Sequence, residues 1–166
     1  MVELSEHLPR LRRYARALTG DRYAADDLVQ DTVERALNKS ALWRPDSRLD
    51  AWLMTLMHNI FVNQLRTAAG RHTDSLETLP SEPSARATQA DGIEVRDIHG
   101  ALARLSPEQR EVLLLVTLEE YSYDETALIL DIPVGTVMSR LSRARDRMRQ
   151  LIEDRAPGTL PLKVVK

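Results

Sequence analysis

The side chains best suited to chemistry lie on the last helical stretch. From residue 134 to 150 the sequence holds five arginines and one acid. At about 100° per residue, Thr136, Arg140, Arg143 and Arg147 line one flank, with Ser139 beside them. Val134, Val137, Leu141, Ala144, Met148 and Leu151 form an apolar stripe roughly a quarter-turn away. Such a helix can seat its aliphatic edge in its own domain and hold guanidinium forks toward a groove, where arginine pairs with guanine edges and phosphates. A solvated bundle helix shows the same two stripes, so the preceding residues matter. Ser122-Tyr123-Asp124-Glu125 is a capping-box pattern for a short helix ending near Asp131, and Ile132-Pro133 makes a turn. Short helix, tight turn and longer basic helix are the layout of a helix-turn-helix.

A second set lies in the first half. Thr55, Asn59 and Arg66, with Asn63 at the edge, share one face of a helix that Ser47 opens, with Asp50 in a capping-box-like position. Asparagine offers a base edge a paired donor and acceptor, and arginine neutralises phosphate. The preceding helix, residues 21–39, sets an apolar side (Ala25, Val29, Val33, Ala36, Leu37) against Asp27, Gln30, Asp31 and Glu34. That polar face is either solvated or suited to a basic partner helix. Trp43 and Trp52 could stack on bases, although Trp52 borders the apolar face. His58 reads as a surface histidine. With His7, His72 and His99 scattered and no cysteine, neither a metal site nor a disulfide is expected. No glycine-rich phosphate loop, nucleophile elbow or paired carboxylates appear, so no enzyme, cofactor or small-molecule substrate is expected.

These residues need elements to hold them. In the first helix Leu4, Leu8, Leu11, Ala15 and Leu18 recur at helical spacing until Thr19-Gly20-Asp21 stops it; Pro9 fits only in a first turn capped by Ser5. Trp43-Arg44-Pro45-Asp46 is a loop, and the third helix buries Leu49, Leu53, Leu56, Met57 and Ile60. Residues 71–96, with Pro80, Pro83 and Gly92, lose periodicity and turn acidic, as in a flexible linker. Helices resume at Asp97, and Ser106-Pro107-Glu108-Gln109 starts the one carrying Val112 to Val116. The prediction is an all-α chain of two small helical domains, 1–70 and 97–154, with a disordered tail at 155–166. The apolar run Val112 to Val116 is too short to span a bilayer, and the first residues lack a leader's apolar core. A cytoplasmic protein without membrane insertion is the expectation.

DLVQDTVERAL, SRLDAWLMTLMHNIFVNQLR, LSPEQREVLLLV and YSYDETALILDIPVGTVMSRLSRAR resemble, in order and spacing, the segments of an extracytoplasmic-function (group IV) sigma factor of RNA polymerase. HLPRLRRYARALTGDRYAADDLVQDT and the PVGT turn are most similar to the factors of the alphaproteobacterial general stress response. The resemblance implies a region 2-like domain at 1–70 and a region 4-like helix-turn-helix domain at 97–154. It implies that Asp27, Leu28, Gln30, Asp31 and Glu34 dock on the polymerase core, its β′ and β subunits being the partners. Arg44, Ser47, Asn59, Asn63 and Arg66 would engage the −10 element, and Thr136, Ser139, Arg140, Arg143 and Arg147 the −35 element. An anti-sigma factor is the implied inhibitor. Asp131 departs from the family, standing where glycine is usual. Two other classes compete: a stand-alone dimeric regulator, which leaves the first 70 residues unexplained, and a sigma mimic that binds only an anti-sigma factor, which has no use for the last helix's arginines. Two observations would tell against the sigma reading: Arg140, Arg143 and Arg147 tucked into intramolecular ion pairs, or the two halves merged into one globule.

Overall fold

The structure, a computed structural model, describes residues 3–71 and 91–155. Among these, seven α-helices and one 3-10 turn follow in order: α1 (Leu4–Thr19), α2 (Arg22–Asn38), the turn Ser40–Leu42, α3 (Leu49–Arg71), α4 (Asp91–Ala103), α5 (Pro107–Thr117), α6 (Tyr123–Leu130) and α7 (Val134–Arg155). No strand occurs among the described residues. The chain is all-α, as its periodicity requires.

Three helix starts are set by side chains, and one helix end by a glycine, that satisfy otherwise orphaned backbone groups. Gly20 ends α1 at φ 69°, a left-handed conformation open to glycine, with its N–H on the Arg16 carbonyl at 2.9 Å. Asp21 caps α2 by accepting from the Ala24 N–H at 3.1 Å. Ser106 accepts from the Gln109 N–H at 3.2 Å, with Pro107 in the first turn. The α6 capping box closes both ways: the Glu125 N–H reaches Ser122 Oγ at 3.1 Å, and the Ser122 N–H reaches Glu125 Oε2 at 2.8 Å.

Three starts differ from expectation. α1 begins before Ser5, at an N-cap Glu3 that makes no side-chain cap bond, so Pro9 lies inside the helix beyond its first turn. The proline removes the donor for the Ser5 carbonyl, and Ser5 is exposed, so water can replace it. α3 begins at Leu49, not Ser47, whose hydroxyl instead donates to the Arg44 carbonyl at 2.7 Å. Asp50 lies in the first turn of α3, and its carboxylate accepts from Arg10 of α1 and, across the junction, from the Tyr121 hydroxyl. α4 begins at Asp91, so residues 91–96 of the expected linker are helical. Linker residues 72–90 and tail residues 156–166 lie outside the described residues.

In the first half Leu11, Tyr14, Ala15 and Leu18 of α1 meet Ala25, Leu28, Val29 and Ala36 of α2 and Leu53, Met54, Met57, Ile60 and Phe61 of α3. The buried side of α2 is turned toward Leu28 and Thr32, which leaves Leu37 exposed, contrary to its expected core role. In the second half α7 buries Val137, Leu141, Ala144 and Leu151 against Val112 to Leu115 of α5 and Ala127, Ile129 and Leu130 of α6. Truncating Leu141 to alanine there would cost about 2–5 kcal/mol. The halves also touch: α1 packs on α4 and α5, α3 packs on α6, and the buried apolar cluster runs across the junction.

Candidate nucleic-acid and polymerase interfaces

The α7 stripe is built as its spacing requires. With Val137, Leu141 and Ala144 buried, Arg143 and Arg147 are exposed and Arg140 is half-buried. Among the described residues none of these three arginines forms an ion pair. Arg140 lies close enough to Glu111 to favour its ionised form. Ser139 is exposed and its hydroxyl donates to the Thr136 carbonyl at 3.1 Å. The turn before α7 passes through Asp131 at φ 53° and ψ 51°, and the Ile132 N–H bonds the Ala127 carbonyl at 3.1 Å. Aspartate therefore takes the left-handed position that glycine would fill with less strain. A row of guanidinium groups with no ion pair among the described residues, on a helix after a tight turn, can enter a DNA groove.

On the first half, Asn59, Asn63 and Arg66 are exposed along α3, and Arg44 and Ser47 are exposed in the loop before it. Thr55 is half-buried and donates to the Ala51 carbonyl at 3.0 Å. Trp43 and Trp52 are half-buried and line one groove with Leu37 and Leu49, about 650 Å³ in volume. The Trp43 Nε1 is buried and has no hydrogen-bond partner among the described residues. On α2, Asp27, Gln30, Asp31 and Glu34 all face solvent. Asp31 accepts from Gln64 Nε2 at 3.3 Å, which ties the acidic face to α3. Leu28 does not belong with them. It is fully buried and anchors α2 in the core, so it cannot itself meet a partner.

Sequence reasoning missed the junction between the halves. The loop Glu119-Glu120-Tyr121 follows α5, held by bonds from the Glu119 and Tyr121 N–H groups to the Leu114 and Leu115 carbonyls at 3.0 Å each. Glu120 adopts φ 59° there. The neighbouring side chains plug the first half. Glu119, its side chain fully buried, accepts from Arg10 Nε and, at 3.4 Å, from Arg13. Arg10 also donates to the Glu119 carbonyl at 3.0 Å and to Asp50 at 3.1 Å. Tyr121 donates its hydroxyl to Asp50 at 3.0 Å, and the Arg10 and Arg48 guanidiniums lie over its ring, 5.1 and 5.4 Å from its centroid. Arg48 donates to Asp50 at 2.8 Å and to Glu125 of α6. Burial pushes the Asp50 carboxyl upward, but bonds from Arg48 and Tyr121 outweigh it and hold the group below its ordinary value. Burial first, then the carboxylates of Asp50 and Glu119, drive the Tyr121 phenol well up against the opposing charge of Arg10.

Two further links cross the junction. His58, expected at the surface, places Nδ1 2.6 Å from Glu111 Oε1 of α5. Burial raises the Glu111 carboxyl, against the opposing pull of His58 and Arg140. Arg110 donates to the Leu102, Ala103 and Leu105 carbonyls at 2.7, 3.2 and 2.9 Å, and to the Leu18 carbonyl in the last turn of α1 at 2.7 Å. No signal in the sequence marks these partners, because each bond joins residues far apart along the chain. Among the described residues no group of histidines and acids could hold a metal ion, and no helix is long and apolar enough to cross a membrane.

Of the two contrary observations, the arginine pairing does not occur among the described residues. The merging is met in part, since the buried cluster is continuous. Comparison with known proteins decides the matter. Residues 4–58 match the family described as the Sigma2 domain of PhyR, and residues 96–148 match Sigma-70, region 4. The chain is 37% identical over 149 residues to the ECF RNA polymerase sigma factor EcfG of Rhodopseudomonas palustris, across 87% of this chain and 80% of that one. It is 33% identical over 146 residues to the ECF RNA polymerase sigma factor SigM of Mycobacterium tuberculosis, across 88% and 73%. Among solved structures it is similar to the sigma factor RpoE of Bartonella quintana in complex with the anti-sigma factor NepR, with TM-score 0.77 and 34% identity over 93% of this chain and 96% of that one. CnrH in complex with the cytosolic domain of CnrY gives TM-score 0.67 and 25% identity over 92% and 86%.

Proposed function

Since the chain belongs to the extracytoplasmic-function sigma factors of RNA polymerase, we propose how its surfaces divide the work of directing core polymerase to promoters. Residues 1–70 form the domain that meets the polymerase core and the −10 element, and residues 97–154 the domain that meets the −35 element. Asp27, Gln30, Asp31 and Glu34 present acids and an amide to a basic helix of the core. Arg44, Ser47, Asn59, Asn63 and Arg66 face the −10 element, where an unstacked base needs polar edges and phosphate a cation. Thr136, Ser139, Arg140, Arg143 and Arg147 face the −35 element. The observation that carries this division is the row of arginines on α7 that form no ion pair among the described residues. The factor has no catalytic chemistry of its own and acts in the cytoplasm, where polymerase is. The similar RpoE of Bartonella quintana is held by the anti-sigma factor NepR, and a partner of that kind fits this chain.

Two weak DNA-binding surfaces gain avidity only once polymerase fixes their separation. Fluorescence anisotropy on a promoter fragment should therefore show poor binding by the free chain and tight, sequence-dependent binding with core enzyme added. Tight specific binding by the chain alone contradicts this. A mimic that only titrates an anti-sigma factor is the second reading, favoured by the match of residues 4–58 to a domain of PhyR. The arginine row has no task in such a protein, and failure to support transcription with core enzyme would select it.

A further inference from the structure

We infer that a basic-rimmed apolar groove lined by α1, α4, α5 and α7 is a binding site for an anionic amphiphile, an alkyl or acyl chain with a phosphate or carboxylate head. The inference goes beyond the sigma-factor reading and does not depend on it. The row assigned to the −35 element uses three of the five arginines between residues 134 and 150. Arg145 and Arg149 leave α7 on the other side of its buried stripe, and they line one groove with Arg12, Arg13 and Arg16 of α1. His99 of α4 joins these five guanidiniums. Arg12, Arg16 and Arg145 are exposed and form no ion pair among the described residues. Arg13 shares Glu119 with Arg10, and Arg149 comes only within 3.9 Å of Asp146.

The rest of the lining is aliphatic. Leu102 of α4 and Leu113 and Leu114 of α5 reach the groove from the core, Leu118 and Met148 are half-buried beside them, and Ile98 stays 46% exposed. The groove encloses about 1000 Å³, the upper end of the roughly 300–1000 Å³ usual for small organic ligands. An alkyl chain laid on this surface should bind about three- to fourfold tighter for each methylene it covers. Charge chooses the head. Among the described residues no acid lines the groove, so an anion meets guanidinium donors without repulsion. A nucleotide fits less well, because no Phe, Tyr or Trp lines the groove to stack a base. A bare anion would leave the aliphatic surface in water. A protein helix, about 10 Å across, would fill such a volume within about two turns, which is little for a stable interface.

Calorimetric titration of the full chain with dodecyl phosphate, kept below its micelle concentration, tests the site. One saturable site per chain is expected, with octyl phosphate, inorganic phosphate and the neutral dodecyl maltoside each weaker by about tenfold or more. Arg12→Ala and Arg145→Ala should each weaken binding by about three- to fivefold. Arg35→Ala removes the same charge from an exposed position on α2 outside the groove, and should leave affinity within about twofold. Saturating ligand should raise the melting temperature, because it binds the folded chain. A lowered melting temperature marks the amphiphile as a denaturing surfactant and overturns the site. Equal losses in all three variants, or equal affinity for the maltoside, overturn the charge recognition. Tight binding of a glutamate-rich amphipathic peptide without any binding of dodecyl phosphate hands the groove to a protein partner. Self-association of the chain that Arg12→Ala abolishes hands it to a second copy, and either result overturns the proposal.

Discussion

Two sets of arginines in this chain meet opposite fates. Arg10, Arg48 and Arg110 set their guanidiniums on carboxylates, a tyrosine ring and helix-end carbonyls of the opposite half or of neighbouring elements. Arg140, Arg143 and Arg147 have no ion pair among the described residues and stand beside a buried aliphatic edge. The residue type is the same, yet one set ties the two halves together while the other forms no ion pair among the described residues. What separates them is whether an acid or an orphaned carbonyl lies within reach once the helices pack.

If that contrast holds, substitutions in the two sets should fail in different assays. The largest effect on folding is expected at Arg110. Arg110→Met leaves the Leu18, Leu102 and Leu105 carbonyls without their charged donor, and should lower unfolding free energy by about 2–4 kcal/mol in a denaturant titration. A loss below about 0.5 kcal/mol would show that water replaces it freely. Next come the arginines of the α7 row. Arg140→Ala or Arg143→Ala should weaken −35-dependent promoter binding by the holoenzyme by about 1–3 kcal/mol, with thermal stability almost unmoved. Arg147→Ala, at the far end of the row, should chiefly lower the salt dependence of binding by about one unit of slope.

Asp50 gives a pH test of the inward set. Its folded carboxyl titrates below the ordinary value, so its contribution is present at neutral pH and is lost as pH falls through that lowered value. Glu111 works the other way. Its raised carboxyl favours the protonated form in the fold, so its effect on stability turns unfavourable as pH rises from the ordinary value through the raised one. Asp50→Asn should flatten the acid limb of a stability-against-pH curve, and Glu111→Gln should remove the opposing slope. An acid limb of unchanged steepness in Asp50→Asn would place that titration elsewhere. The smallest change is expected at the turn. Asp131→Gly relieves the left-handed backbone and should add a few tenths to about 1 kcal/mol.

The outward set was legible in the sequence and the inward set was not, for a physical reason. Helical stripes and caps are local. Ser106, Ser122 and Gly20 announce helix ends within four residues, and the α7 stripe follows from 3.6-residue periodicity alone. The junction joins Arg10 to Glu119 and His58 to Glu111, pairings across which no period runs. For the same reason Asp50 reads as a capping residue and His58 as a surface one, since their partners sit on distant elements. Pro9 misled because a proline inside a helix is tolerated where the freed carbonyl meets solvent, and Leu28 because a residue between two acids on a helix can still point to the core.

Run-off transcription with purified core polymerase and promoter fragments tests the central claim most directly. The chain should restore initiation at defined start sites, and a variant carrying Arg140→Ala, Arg143→Ala and Arg147→Ala should lose it while keeping its fold and its hold on polymerase. Full transcription by that triple variant would contradict the assignment of α7 as the promoter-reading helix.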